Sequence, residues 1–337
     1  VAAQAPGRID LAGGGTDPEP YASDFGGAVL NLAITLRAHV TIEPLASREV
    51  AIESLDFGES DSAPLGGRFR LGGRLDLLKA IVHRFLEDAS RLQAGFRVTT
   101  RTELPPGSGL GSSAALGVAL ITALSRYLGR PLSRHETADL HSAVERFDLG
   151  IWGGKQDPFA AACGGLRFWR FEGERVIDEP HAIPPSVIAD LERNLKLVYS
   201  GEAHLSGDIH KEILLDYRRG QSRVKAAQHR LKEVASELRA ALERGDLRAA
   251  ARLLDENWKA HQQLHPSCAT ERLHDSIRRG KEAGAWGAKV CGAGGGGAIV
   301  FYVPPERHAS FARAMTSGGA ALLSVSIDTS GCESREL

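Results

Sequence analysis

The stretch from Pro105 to Leu116, PPGSGLGSSAAL, restricts this chain more than any other segment. A glycine–serine loop runs directly into Ser112–Tyr127, SSAALGVALITALSRY, which has the composition of a buried helix. Gly107, Gly109 and Gly111 let the chain turn tightly just before that helix. The first amides of the helix have no intrahelical partner, and with the positive dipole end they face whatever the loop encloses. Such a loop is an anion cradle, assigned here to Pro106, Gly107, Ser108, Gly109, Leu110, Gly111, Ser112 and Ser113. The hydroxyls of Ser108, Ser112 and Ser113 can reach a phosphate or a magnesium ion. The reading is a nucleotide site, for ATP. The plainer reading is a loop with a helix cap. The lysine-bearing phosphate loop G-x-x-x-x-G-K-[ST] is absent, so ATP would be held by another kind of loop.

Two more glycine-rich segments stand at the ends of the chain. One reads Ala5-Pro-Gly-Arg-Ile-Asp-Leu-Ala-Gly-Gly-Gly-Thr-Asp17, and the other Ala288-Lys-Val-Cys-Gly-Ala-Gly-Gly-Gly-Gly-Ala-Ile-Val300. Gly292–Gly297 also satisfies G-x-G-x-x-G, but a dinucleotide fingerprint follows a first strand and opens a helix. A strand-like run, Ala298–Val303, follows here, which predicts a glycine turn between a helix and a strand.

The 337 residues suffice for two domains or one large one. A formal charge of -1 gives no pull toward nucleic acid or an anionic membrane surface. No apolar run approaches the ~20 residues of a membrane span. No leader pattern precedes the first motif. Cys163, Cys268, Cys291 and Cys332 fit neither zinc spacing nor C-x-x-C, so reduced thiols in a cytoplasmic protein are expected.

Alternation predicts paired strands over 38–52 and a strand over 95–102 leading to the loop. Helices are predicted over 75–85 and 131–147, the second capped by Ser133 with Glu136 three residues on. Strands around a turn are expected in 164–171 and 174–184. Long amphipathic helices follow over 217–244 and 247–263, then one over 273–283. The chain then reads as a strand (298–303), a helix from Pro304 to about Met315 and a strand (321–327). The class is α+β.

In order and wording, the three glycine motifs resemble those of the GHMP kinases, the family of galactokinase, homoserine kinase, mevalonate kinase and phosphomevalonate kinase. The resemblance spans nearly the whole chain. It implies two domains, with the active site in the cleft between them. Residues 1–190 would form an ATP-binding domain like ribosomal protein S5 domain 2, and residues 191–337 a ferredoxin-like domain.

Phosphoryl transfer needs positioning, charge neutralisation and sometimes a base for the attacking hydroxyl. Asp157, in Gly153-Gly-Lys-Gln-Asp157, is either that base or a cap on a helix beginning at Pro158. The resemblance implies the base. It also implies that Arg8 faces the transferring phosphate or Asp157. It further implies that Glu145 binds magnesium with the hydroxyl of Ser113, or else Ser112. Glu136 and Asp148 compete with Glu145, and Lys155 is a second cation. Gly14, Gly15, Thr16, Asp17, Gly154, Gly294 and Gly295 are expected around the substrate, Asp17 accepting its hydroxyl hydrogens.

Within the family, the Gly-Gly-Gly-Thr-Asp wording, Tyr21, Gly26–Asn31 and the GGKQD segment resemble kinases of the anomeric hydroxyl of D-glycero-D-manno-heptose 7-phosphate. They are less similar to L-fucokinases. Asp10, Pro158 and Tyr199–Ser206 depart from that wording and leave the sugar open. Arg101, Lys211, Arg218 and Lys289 are candidates to hold a distal phosphate. His204 and His210 are read as structural, and Cys291 as a small buried side chain. The expectation is a monomer or homodimer that uses ATP and magnesium on a small sugar or sugar phosphate. The alternatives are a free-sugar 1-kinase and a non-catalytic sensor that binds sugar or nucleotide.

Overall fold

The computed structural model describes residues 1–86, 92, 94–202 and 206–337, without the side chains of 206–208. One sheet is built from β1 (Ala2–Ala12), β2 (Gly27–Pro44), β3 (Glu49–Ser54), β4 (Glu59–Pro64), β5 (Phe96–Thr102), β6 (Leu166–Glu172) and β7 (Arg175–Glu179). A second holds β8 (Leu195–Tyr199), β9 (Gly287–Val290), β10 (Ala298–Tyr302) and β11 (Ala321–Leu323). The last strand, β12 (Glu333–Arg335), returns to the first sheet and pairs with β1.

β2 organises the first sheet. It pairs with β1 on one edge, and on the other with β6 along its first part and β5 along its second. Its first eight residues are all buried, as expected of a central strand with helices packed on it. The second sheet has the order β11-β8-β10-β9, with antiparallel pairs throughout, which is the ferredoxin-like order fourth–first–third–second. The main core runs without interruption from β1 and β2 to Leu197, Val300 and Tyr302 of this second sheet.

The helices are α1 (Tyr21–Phe25), α2 (Asp76–Leu86), α3 (Ser112–Tyr127), α4 (Arg134–Ala143), α5 (Gln156–Cys163), α6 (Pro185–Asn194), α7 (Ser206–Arg218), α8 (Ser222–Glu243), α9 (Leu247–Gln262), α10 (Glu271–Glu282) and α11 (His308–Ser317). α3 has the predicted bounds and is buried along most of its length, packed on β1, β2, α4 and α5. Its Gly117 admits α4, since a methyl there would fall 2.2 Å from His141.

Several expectations are corrected. The helix predicted over 217–244 is two helices, because Gly220 takes a φ of +75° and ends the first one's path. The helix predicted over 131–147 has the expected Ser133–Glu136 capping box but ends at Ala143. It continues as a π-helical turn, Val144–Asp148. The third glycine segment joins β9 to β10 and so lies in a hairpin, not between a helix and a strand. The strand predicted over 321–327 keeps only three residues.

Candidate active site

The three glycine segments meet. Arg8 N donates to Leu110 O at 2.8 Å, and Ala298 N donates to Ser108 O at 2.8 Å, so the central loop is bonded to both outer motifs. The approach is backbone on backbone. A methyl at Gly109 would lie 2.4 Å from Cys291 O, and one at Gly297 2.6 Å from Ser108 O. Gly111 precedes α3 in the left-handed region, and no side chain caps the helix. The first amides of α3 are therefore available to an anion. The hydroxyls of Ser108 and Ser112 are buried without a hydrogen-bond partner among the described residues, which suits the same occupant.

A cavity of about 540 Å³ runs past this loop. Ser54, Phe57, Leu77 and Leu104 border it, as do Gly14, Asp17, Tyr21, Trp152, His210 and Gln228. A groove of about 880 Å³ beside α1, β6 and α8 is different in kind. Its Arg170, Lys232 and Arg239 are all bonded, and none of its lining side chains carries an orphaned buried polar atom.

Asp157 lies in the first turn of α5, and Arg8 grips it with both ends of its guanidinium. Nε donates to Oδ1 at 2.7 Å and Nη2 to Oδ2 at 2.6 Å. Nη1 donates to Gly109 O, so one side chain ties the carboxylate to the phosphate loop. Burial opposes the Arg8 charge, but the carboxylates of Asp157 and Asp10 hold its pKa above the usual range. Only a planar guanidinium makes this two-point grip, so lysine would not replace it.

Glu145 sits on the π turn, a distortion that re-aims side chains and is frequent at functional sites. Ser113 Oγ donates to Glu145 Oε1 at 3.4 Å, and His141 Nδ1 lies 3.7 Å from Oε2. Burial, and then the nearby Asp157 charge, push the Glu145 carboxyl up to about 8. Its two rivals are engaged elsewhere: Glu136 in the cap, and Asp148 with Arg84 at 2.6 and 2.7 Å. No group of three or more His, Cys, Asp and Glu gathers for a metal among the described residues. The pair Glu145–Ser113 still suits magnesium, which takes its remaining ligands from phosphates and water.

Asp17 is buried where Gln156 N donates to its Oδ2 at 3.0 Å and Gly15 N to its Oδ1 at 3.3 Å. Gly154 has to be glycine here, since a methyl would lie 1.8 Å from Oδ2. Burial raises the Asp17 carboxyl to about 7. The Gln156 N–H opposes that rise, and Asp157 and Asp10 add to it.

Gly14, Gly15, Gly154 and Gly294 border the cavity with Asp17. Three other expected residues do not. Thr16 Oγ1 donates to Gly13 O at 2.8 Å and accepts from Ala28 N at 3.1 Å, which shapes the loop. Leu110 packs in the core, and Gly295 N donates to Cys268 O at 2.7 Å. Lys155 turns to Glu174 at 2.7 Å. Cys291 is a buried thiol pushed up to about 11, and so inert. His204 lies outside the described residues. His210, read as structural, borders the cavity, as do Asp10, Gln156, Gln228, His261 and Trp152, which sequence reasoning did not place there.

Residues 76–165 match the family pattern described as GHMP kinases N terminal domain, and residues 238–321 match GHMP kinases C terminal. The chain is 32% identical over 321 residues to D-glycero-alpha-D-manno-heptose 7-phosphate kinase of Campylobacter jejuni, covering 94% of this chain and 93% of that one. It is 28% identical to the bifunctional fucokinase/GDP-fucose pyrophosphorylase of Arabidopsis thaliana, covering 87% of this chain and 29% of that protein. A crystal structure of a D-glycero-D-manno-heptose 1-phosphate kinase from Bacteroides thetaiotaomicron superposes with a TM-score of 0.82 at 30% identity. That match covers 100% of this chain and 99% of the other.

Proposed function

The chain belongs to the GHMP kinases and is an ATP-dependent phosphotransferase, and we propose that it phosphorylates the anomeric hydroxyl of a sugar. The leading acceptor is D-glycero-D-manno-heptose 7-phosphate. The observation that carries the reading is the placement of Asp157. Arg8 clamps it beside an uncapped anion loop, and Asp157, that loop and the buried Asp17 border one cavity.

In this reading the loop amides and the α3 N-terminus hold the ATP phosphates. Asp157 takes or orients the proton of the attacking hydroxyl. A bond forms from the sugar oxygen to the γ-phosphorus, the bond to the ADP oxygen breaks, and the proton passes through Asp157 to solvent. Arg8 steadies Asp157 and offsets charge near the transferring group. Glu145 and Ser113 would hold magnesium, which supplies charge neutralisation at the phosphates. Asp17 accepts sugar hydroxyls and needs its ionised form to accept two. Below a pH of about 7 it gains a proton. The expected result is a KM for the sugar that rises as pH falls below about 7, approaching tenfold per unit. A pH series of that KM checks this. The same rise in an Asp17→Asn variant would remove Asp17 as its cause.

The likeness to heptose kinases over almost the full chain supports the phosphorylated acceptor. One observation favours a free sugar such as L-fucose instead. The arginines and lysines bordering the cavity, among the described residues, are Arg8 and Arg74, and both are paired, Arg74 with Glu59 at 2.7 Å. Of the four basic residues singled out in the sequence, Arg218 is the best placed to answer that objection. Its guanidinium lies 5.6 Å from the ring centre of Trp152, which borders the cavity. Lys289 is sealed in an ion pair with Asp10. Arg218→Ala is expected to raise KM for a sugar 7-phosphate about tenfold, the size of one lost charge-assisted contact, and to leave KM for a free sugar alone.

The deciding assay is ADP release with Mg-ATP against heptose 7-phosphate, mannose, L-fucose, galactose, glucuronic acid and mevalonate. Turnover of heptose 7-phosphate alone is the expected result. Turnover of a free sugar would change the acceptor, and turnover of mevalonate alone would overturn the sugar reading. Binding of a sugar without turnover would leave a sensor.

A further inference from the structure

We propose that Asp10 is a specificity-determining residue of the acceptor site, where its carboxylate accepts a hydrogen bond from a sugar hydroxyl other than the one that reacts. This inference rests on the sugar kinase reading above.

Asp10 follows Arg8 by two residues on β1, so strand alternation puts both side chains on one face, and both border the cavity. The residue is 1% exposed. Lys289, fully buried, brings Nζ to 2.9 Å from Oδ2, but its directed hydrogen bond goes to the Asp10 main-chain oxygen. Among the described residues, neither carboxylate oxygen receives a directed hydrogen bond, and Oδ1 has no ion-pair contact either. An ionised carboxylate offers about four acceptor positions, and leaving them empty when buried is costly. The backbone of Gly14 lies against this carboxylate. A methyl there would lie 2.2 Å from Oδ2.

The neighbouring groups have the same character. Gln228 donates from Nε2 to Gly15 O at 2.9 Å, which leaves its Oε1 without a partner. Burial lowers the His261 pKa to about 4, so the ring is neutral. Its Nε2 lies 3.1 Å from Ala293 O and must carry the hydrogen, which makes the orphaned Nδ1 an acceptor. Both residues border the same cavity. Three buried residues with unfilled acceptors around one cavity call for a ligand that brings several O–H donors. Such a ligand is a polyhydroxylated ring, and an anionic group placed against them would be repelled.

The test is kcat/KM of wild type and Asp10→Asn on the accepted sugar and its monodeoxy analogues. Wild type is expected to lose about tenfold or more on one analogue, and Asp10→Asn to lose about tenfold on the parent sugar. On that analogue the variant is expected to lose little more, with KM for ATP unchanged. Gly14→Ala, which crowds Oδ2 and leaves the charges in place, should show the same selective loss and serves if Asp10→Asn does not fold. Losses that multiply on every analogue, or no loss at all, would overturn the assignment of Asp10 while leaving the kinase reading intact. Absence of turnover by wild type on any sugar would overturn both.

Discussion

Asp157→Asn is expected to lower kcat by about 10²–10⁴-fold with KM for ATP within a few-fold of wild type. The substitution keeps the size of the side chain and removes the negative charge that receives the proton. Arg8 would keep Gly109 O as an acceptor and could still donate to the amide oxygen, so the loop should hold its position. The Arg8 charge is buried, however, and losing its partner leaves it poorly compensated, so a lower Tm is also expected. Steady-state ADP release, nucleotide titration and a thermal melt separate these effects. A kcat close to wild type would sink Asp157 as the base and leave it as the anchor of Arg8. A kcat loss accompanied by lost ATP binding would show that the Arg8–Asp157 pair mainly shapes the loop.

The local grammar of this chain was legible where one element dominates its surroundings. α3 and its glycine loop were readable because uncharged helix formers follow three closely spaced glycines, and the Ser133–Glu136 cap because both partners are local. β1, α1, β8 and β9 were not predicted, because their burial depends on strands and helices remote in sequence. The cavity was legible at Arg8, Asp17, Glu145 and Asp157 only through a resemblance to known motifs. Asp10, Gln228 and His261 come from β1, α8 and α9, and no spacing in the sequence signals that the fold brings them together. Thr16 and Gly295 were drawn in by adjacency to motif residues. A motif names a stretch of backbone, but which side chains face the cavity depends on how that backbone turns. The π turn that carries Glu145 is a further case, since its residues read as ordinary helix.

Gly109→Ala is expected to cost several kcal/mol of stability and to remove measurable ATP binding. Two costs combine. The residue has a φ of +72°, where a side chain costs about 1–2 kcal/mol. The new methyl would also lie 2.4 Å from Cys291 O and 3.4 Å from Gly292 N, atoms of backbone that cannot rotate away. Relief requires the phosphate loop and the β9–β10 hairpin to part. Arg8 donates to Gly109 O, so the movement would also drag on the arginine that holds Asp157. Gly129→Ala isolates the first cost. That glycine has a similar φ of +68°, with no atom within 4 Å of the added methyl. It should lower Tm by only a few degrees and leave kinetics unchanged. A Gly109→Ala protein that behaves like Gly129→Ala would mean that the loop and the hairpin move independently. Equal loss of ATP binding in both would mean that backbone strain, not contact, governs the loop. The expected difference between the two variants follows from the packing itself. Three glycine segments far apart in sequence meet with main chain against main chain at Gly109, so a side chain at that junction displaces the nucleotide site, while the same dihedral strain elsewhere does not.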